Sequence, residues 1–585
     1  MALEIDANHI ENAEKPILSH KYLNDGVEAR AYQLIAAKEA LSGSTLLVMP
    51  TGLGKTAVQW MAMAHYMEKP GKIVLVAPTT GLVDQQSRMA KEMLVINHEK
   101  IVILTGQISP NKRIDIWKNA KLVFATPHVI RNDARDGRIS LKDVDLLIFD
   151  EAHHATGSDS MAELGDLYQS SNPNGIVLAA TASPGVKEKK VLEIIERLGI
   201  ERLHVSRRDD ELVAPYSTSM EIEYHYLSLE ENLESLLKSL KILENDEAEL
   251  LRRGGFLTSK GIITTAAIEE AQRRASAAIG RGNVRGYDAA RRISDLRRIH
   301  RLIDLISTQG IICASKYLQR SLEDNKKKTK RFLGLPPVMK VLRDYNNCNE
   351  MHPKPNIVSE LVNKSLNSSG KIIIFTEYRD TVDMLIEILS KIEGANPGKF
   401  VGQSSKGKQI GMSQKEQIEQ LDKFREGRIN ILIATSVGEE GLDVPAADCV
   451  ILYEPVPSAI RAIQRRGRTA REGDGDVHVL ITKETRDEYV QHAAAKREIA
   501  MYNTLERMKK QSRLPRRTPS SKEILGDFKV NSLDAGDFIL DKIERLVIEE
   551  KPQTTVENEN STNTSMRKTI LPNKPKNQRR LIDYD

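Results

Sequence analysis

Two stretches of the chain repeat one pattern, in which short, wholly apolar runs are separated by polar intervals of helix length. In residues 43–205 the runs fall at 45–49, 73–77, 101–104, 122–125, 146–149 and 175–180. In residues 371–485 they fall at 372–375, 431–434, 450–453 and 477–481. A strand apolar on both faces has to be buried on both faces. A parallel sheet covered by helices meets that condition, and the intervals are long enough for the crossover helices it needs. Residues 225–345 lose the strand runs and read as long helices. The expected fold class is therefore α/β, with two parallel-sheet domains and an intervening helical insert.

Composition narrows the setting. A chain of 585 residues with 40% hydrophobic side chains has core enough for several domains. Cys313, Cys348 and Cys449 show no paired spacing, which excludes a disulfide scaffold or a cysteine zinc cluster and suggests a reducing compartment. No apolar run reaches membrane-spanning length, and the N-terminus does not read as a signal peptide. The expectation is a soluble, cytoplasmic protein without a membrane partner.

The net charge of +5 says little, but its distribution says more. From Ala271 to Arg331 sixteen basic residues stand against five acidic ones, a local net of +11. Arginine pairs recur at helical intervals, with Ile293, Leu296, Ile299, Leu302 and Ile303 between them. That is an amphipathic helix with a basic face, suited to a polyanion.

The first strand run leads into Pro50-Thr51-Gly52-Leu53-Gly54-Lys55-Thr56, and a helix-like stretch follows. A glycine-bearing loop between strand and helix points backbone N–H groups at an anion. Lys55 would reach the β- and γ-phosphates of ATP, and the Thr56 hydroxyl would ligate Mg²⁺. The strict GxxxxGK[ST] pattern is not met, because Met49 holds the first glycine position.

The run at 146–149 ends in Asp150-Glu151-Ala152-His153. A carboxylate at the carboxyl end of a buried strand lies where open α/β sheets bind ligands. Asp150 would hold Mg²⁺ opposite Thr56, and Glu151 would orient or deprotonate the attacking water. The neighbouring His153 and His154 are adjacent on one segment and so ill-placed to converge on one metal ion. In the second half, Gln464-Arg465-Arg466-Gly467-Arg468-Thr469-Ala470-Arg471 is a dense basic segment. Arg468 and Arg471 are candidate arginine fingers for the γ-phosphate, with Gln464 beside them.

In order and spacing these segments resemble the motifs of superfamily 2 helicases. Arg30 and Gln33 resemble the adenine-reading motif, and residues 50–56 motif I, with Thr51, Gly52, Leu53 and Gly54 in the nucleotide cradle. Ala77-Pro78-Thr79-Thr80 with Gln85 resembles motif Ia, the DEAH tetrapeptide motif II, and Thr181-Ala182-Ser183 motif III. Residues 438–443, with Gly441 and Asp443, resemble motif V, and residues 464–471 motif VI. RIG-I-like helicases, Dicer and the archaeal Hef/FANCM branch share this plan. The phrases Leu104-Thr105-Gly106-Gln107-Ile108-Ser109-Pro110, Thr126-Pro127-His128-Val129-Ile130-Arg131-Asn132-Asp133 and Glu454-Pro455-Val456-Pro457-Ser458-Ala459-Ile460 favour Hef/FANCM. His128 and His154 depart from that pattern.

The resemblance implies two RecA-like domains around a thumb-like insert, with ATP and Mg²⁺ as cofactors. It also implies helicase or translocase activity on branched or duplex DNA, such as stalled forks and Holliday junctions. The alternative is a double-stranded RNA helicase of the RIG-I/Dicer type. The expected division is 1–210 for the first RecA-like domain, 211–350 for the basic insert, 351–510 for the second RecA-like domain and 511–585 for a largely flexible extension. Glu544-Arg545-Leu546 lacks the lysine of an ERKxxxD nuclease motif, so no nuclease activity is expected. Near the end, Gln578, Leu581 and Tyr584 are spaced like a sliding-clamp (PCNA) docking box.

Overall fold

A computed structural model describes residues 15–216, 222–323, 327–344, 349–368, 370–402, 411–435, 447–455, 476–511 and 520–549. They fall into two compact units. The first holds the described residues up to 216 and those from Arg497 onward, and the second those between 222 and Lys496.

The first unit carries nine strands before residue 216. They are β1 (Ile17–His20), β2 (Leu23–Glu28), β3 (Thr45–Val48), β4 (Lys72–Val76), β5 (Ile101–Leu104), β6 (Leu122–Ala125), β7 (Val144–Asp150), β8 (Ile176–Thr181) and β9 (Arg202–Val205). Seven of them form one sheet in the order β5-β6-β4-β7-β8-β3-β9, and every pairing is parallel. Alternate residues feed different cores, as a strand's period of two requires. Ile73 and Leu75 join one apolar cluster, while Val74 and Val76 join the other. All six expected runs are strands. β9 was not anticipated, because Arg-Leu-His-Val is half polar and its Arg202 and His204 are nonetheless buried.

The second unit is built on β10 (Ile222–Leu227), β11 (Ile372–Thr376), β12 (Pro397–Phe400), β13 (Ile431–Thr435), β14 (Cys449–Leu452) and β15 (Asp476–Thr482). Their order is β10-β15-β14-β11-β13-β12, again all parallel. β10 precedes the helical segment in sequence yet belongs to this sheet. It is an edge strand with no fully buried residue, so it mixes polar and apolar positions instead of forming an apolar run. Between β10 and β11 the helices Glu231–Arg253, Thr265–Gly280, Arg285–Thr308, Ile311–Leu322, Lys327–Leu333, Pro336–Asp344 and Lys354–Asn367 succeed one another. Ile293, Leu296, Ile299, Leu302 and Ile303 are all buried, so the apolar stripe read from the sequence is the core face of the helix Arg285–Thr308.

Residues 520–549 depart from the expectation of a largely flexible extension. They are folded onto the first unit. Ser520 and Glu523 close a capping box, and β16 (Lys529–Val530) and β17 (Leu533–Asp534) extend the N-terminal hairpin into a sheet ordered β17-β16-β1-β2. The helix Ala535–Glu549 follows. Leu525, Phe528, Val530, Ala535, Phe538 and Ile539 enter the apolar cluster that holds Leu18, Tyr32 and Leu34. The physical reason is coverage. The helix Ala31–Leu41 is apolar nearly all round, and this segment buries the side that the large sheet leaves open.

Candidate nucleotide site at the carboxyl ends of the first sheet

The strand order β4-β7-β8-β3 places four sequence segments side by side. Each follows the carboxyl end of its strand: Thr79 after β4, the DEAH segment at the end of β7, Thr181-Ala182-Ser183 at the end of β8, and the glycine loop after β3. The register makes the alignment tight, with Val48 opposite Thr181 and Asp150 opposite Ala180. Segments more than a hundred residues apart in sequence thus share one rim, where parallel α/β sheets bind ligands.

The glycine loop takes its shape from backbone conformation. Gly54 has φ 82° and ψ 40° and stands at the N-cap of the helix Lys55–Tyr66. A Cβ there would be strained, and it would also collide with the Gln33 carboxamide. Gln33 Nε2 donates to the Leu53 carbonyl at 2.9 Å, so this residue anchors the loop from beneath. Arg30 lies nearby, bonded to Glu28 and 4.8 Å from the Tyr216 ring centroid. Lys55 is buried, and its Nζ donates to the Met49 carbonyl at 3.0 Å. Arg208, which sequence reasoning did not single out, donates to the Thr51 carbonyl at 2.8 Å.

Asp150 is only 2% exposed, and both of its oxygens are held. Gln59 Nε2 donates to Oδ1 at 3.2 Å, and Gln86 Nε2 donates to Oδ2 at 2.9 Å. Gln59 lies one helical turn beyond Lys55 and Thr56, on the same face. The i+3 and i+4 spacing from Thr56 and Lys55 is the sequence signal for this residue. In the helix Thr80–Met93 it is Gln86, not the half-buried Gln85, that turns toward Asp150. The helix starts where the Thr79 hydroxyl accepts the Leu82 N–H at 3.3 Å.

Glu151 has φ 56°, a left-handed conformation that non-glycine residues rarely adopt. It turns the chain out of β7 into the short helix Ala152–His154. His153 Nδ1 then lies 3.1 Å from the Thr181 hydroxyl and 3.3 Å from a Glu151 oxygen. The Thr181 hydroxyl also accepts the Ser183 N–H at 3.2 Å. The His153 and His154 rings lie tilted by 33° with centroids 4.4 Å apart, and among the described residues they join no converging group of three metal-ligand side chains. The residues after β8 in turn pack on the end of the helix Arg486–Gln511. The Ser183 hydroxyl meets the Met501 sulfur at 3.3 Å, and Thr504 donates to the Val186 carbonyl at 3.1 Å.

This rim suits a nucleoside triphosphate with a hard divalent cation. Loop N–H groups at a helix N-terminus and the Lys55 ammonium would face the charge of a bound phosphate. Thr56 and Asp150 offer hard oxygen donors. Gln59 Oε1 and Gln86 Oε1 are buried beside the carboxylate with no hydrogen-bond partner among the described residues. The water ligands that Mg²⁺ retains are donors, which these two oxygens lack. When bound, Mg²⁺ would supply charge neutralisation for the phosphates. The chain's own part is to hold the Asp150 carboxylate with two amides and to fix Glu151 and His153 in one orientation. Gly441, Asp443, Gln464, Arg468, Arg471, Gln578, Leu581 and Tyr584 lie outside the described residues.

Comparison with known proteins agrees with this geometry. Residues 30–191 match the DEAD/DEAH box helicase family, and residues 353–473 match the helicase conserved C-terminal domain. The crystal structure of the Pyrococcus furiosus Hef helicase domain superposes with a TM-score of 0.64 at 35% identity, over 79% of this chain and 98% of that one. The chain belongs to the Hef/FANCM helicase family. Among curated relatives, a Methanocaldococcus jannaschii protein provisionally named an ATP-dependent RNA helicase is 36% identical over 85% of this chain and 62% of its own. The ATP-dependent DNA helicase mph1 of Neurospora crassa is 31% identical over 78% of this chain and 41% of its own. The chain thus spans about two-fifths to three-fifths of the length of these relatives. Its two RecA-like sheets and intervening helices are the family's architecture.

Among the described residues the basic segment divides into paired and unpaired cations. Arg320 pairs with Asp380 through two bonds, Arg331 with Asp295, Arg292 with Glu247 and Asp288, and Arg301 donates to the Tyr378 hydroxyl. Those cations serve the unit's own packing. Arg281, Arg285, Arg297 and Lys330 are exposed and make no ion pair among the described residues. Val284 and Tyr287 are exposed beside the first two, at the turn between the helices Thr265–Gly280 and Arg285–Thr308. No helix among the described residues is long and apolar enough to cross a membrane.

Proposed function

We propose that the chain is an ATP-hydrolysing DNA helicase or translocase that acts on branched DNA such as stalled forks and four-way junctions. The observation that carries this reading is the rim of the first sheet, where the phosphate loop, the amide-held Asp150 and the His153–Thr181 contact stand side by side. ATP with Mg²⁺ is the fuel, held by Arg30, Gln33, residues 51–56 and Asp150. Glu151 handles the attacking water, and Lys55 compensates phosphate charge. Gln464, Arg468 and Arg471, with Gly441 and Asp443, are proposed to act in ATP turnover, as their motif resemblance implies. The unpaired cations around Arg281 and Arg285 grip the DNA backbone.

A DNA substrate is supported by relatives whose names call them DNA helicases. A double-stranded RNA substrate is the second reading, since the names of two relatives specify RNA. The test is steady-state ATPase with single-stranded DNA, linear duplex, a fork, a four-way junction and double-stranded RNA at matched nucleotide and salt concentrations. Strongest stimulation by fork or junction supports the proposal. Stimulation by RNA alone replaces it with the second reading. Gln578, Leu581 and Tyr584 are proposed to dock a sliding clamp. Clamp capture that survives Leu581→Ala with Tyr584→Ala removes that element.

A further inference from the structure

The second sheet holds a side-chain cluster that none of the helicase motifs explains. Glu223 and His225 are two residues apart on β10, so their side chains leave the same face of the strand. β10 runs parallel to β15, and the register sets Glu223 opposite His478. Three donor groups meet there. His225 Nε2 is 3.1 Å from His478 Nδ1. The same His478 nitrogen is 3.1 Å from one Glu223 oxygen, and the other Glu223 oxygen is 3.7 Å from His225 Nε2. Among the described residues this is the one group of three such side chains whose ligand atoms converge.

Hydrogen bonding alone serves this triangle poorly. A proton on either ring nitrogen satisfies one contact well and leaves a lone pair facing another. A cation satisfies all three at once. Tetrahedral zinc, bound at about 2.0–2.2 Å, holds its ligand atoms about 3.3 Å apart, close to the 3.1 Å between the two imidazole nitrogens and the 3.1 Å between His478 Nδ1 and its Glu223 oxygen. Two imidazoles and one carboxylate suit a borderline metal and are a poor set for Mg²⁺. His478 is buried in the sheet, while Glu223 is exposed, so a fourth position opens to solvent for water.

We propose that Glu223, His225 and His478 form a binding site for a zinc-class divalent cation that clamps β10 to β15. The location gives the clamp a purpose. β10 is an edge strand and the last strand before the helical insert, so a cation fixes the point where the insert leaves the sheet. The site lies on the second sheet and the nucleotide rim on the first, and the proposal stands or falls independently of the ATPase reading.

The test uses the full chain, stripped with chelator and titrated with Co²⁺ and then Zn²⁺. The expected result is one equivalent of Co²⁺ with the intense visible absorption of a tetrahedral site, displaced by Zn²⁺ and unaffected by excess Mg²⁺. His225→Ala and Glu223→Gln, both at partly solvent-facing positions, should each weaken binding roughly tenfold or more. Circular dichroism checks that both variants fold. As an independent readout, Zn²⁺ should slow amide exchange in β10 of the parent and not of the variants. Absence of stoichiometric Co²⁺ binding would overturn the proposal. So would binding that is unchanged in both variants, which would place the metal elsewhere.

Discussion

Gln59 and Asp150 are 91 residues apart in sequence and share a buried hydrogen bond of 3.2 Å. Gln86 holds the other carboxylate oxygen at 2.9 Å. Neither glutamine is expected to touch the reacting atoms. Together they fix the direction in which Asp150 presents its charge, which makes them positioning residues. Gln86→Ala and Gln59→Ala should each lower ATP turnover by roughly 10- to 100-fold, the range seen when support of a metal-ligating group is lost. The discriminating readout is Mg²⁺ titration of the ATPase. A shift of the half-saturating concentration to higher Mg²⁺ is expected, with the fold intact. A loss of turnover with no change in Mg²⁺ dependence would count against the positioning role. Lys55→Ala, as reference, should abolish turnover at every Mg²⁺ concentration.

The His153–Thr181 contact joins the DEAH segment to the strand beside it. Thr181→Val keeps the shape and removes the hydroxyl, at a cost of about 1 kcal/mol in stability. ATPase should persist while unwinding or branch migration falls, because the two segments lose their link. Equal losses in both assays would assign Thr181 to hydrolysis itself.

The division of the basic segment into paired and unpaired cations makes a second contrast. Arg281→Glu and Arg285→Glu should weaken DNA binding and reduce the salt slope by about one for each phosphate contact removed. Arg320→Glu breaks the pair with Asp380 and should lower stability first. Binding measured by fluorescence anisotropy from low to moderate salt separates the two classes. Unchanged slopes in the first pair would remove that turn from the DNA interface.

Glu454 follows β14 and is fully enclosed. Burial pushes its carboxyl up to about 8, against the opposing pull of the buried Lys354 ammonium. Its ordinary value is 4.5, so the folded chain holds this proton more tightly than the unfolded chain does. Stability from this group is therefore full below about pH 4.5 and is lost as pH rises toward 8. Glu454→Gln mimics the protonated form. The variant should gain thermal stability relative to the parent between pH 6 and pH 9, and the two should converge toward pH 5. Parallel profiles would show that Glu454 does not titrate in this window.

Phe528 is fully buried, and its ring stacks on His20 with centroids 4.4 Å apart. Phe528→Ala should cost about 3–5 kcal/mol. Limited proteolysis should then cut the first unit well before the second. A variant with parental resistance would mean that residues 520–549 add little to that unit's core.

The sequence alone determined the α/β class, the two sheets and their helical insert, because strands buried on both faces leave uninterrupted apolar runs. It also determined the phosphate loop and the DEAH segment, since Gly54, Lys55, Thr56, Asp150 and Glu151 are needed by residue type and lie on local turns. It gave no sign of β10 or β12, where an edge position, or a Pro-Gly pair, replaces the apolar run. Nor did it reveal that residues 520–549 complete the first unit, because those apolar positions are sparse until the N-terminal hairpin supplies their partners. Only the tertiary structure decided which glutamines hold Asp150, which arginines are consumed in ion pairs and which histidines converge. Most of those are relations between side chains on different strands or helices, set by tertiary packing, sheet order and register, of which a linear pattern carries no record.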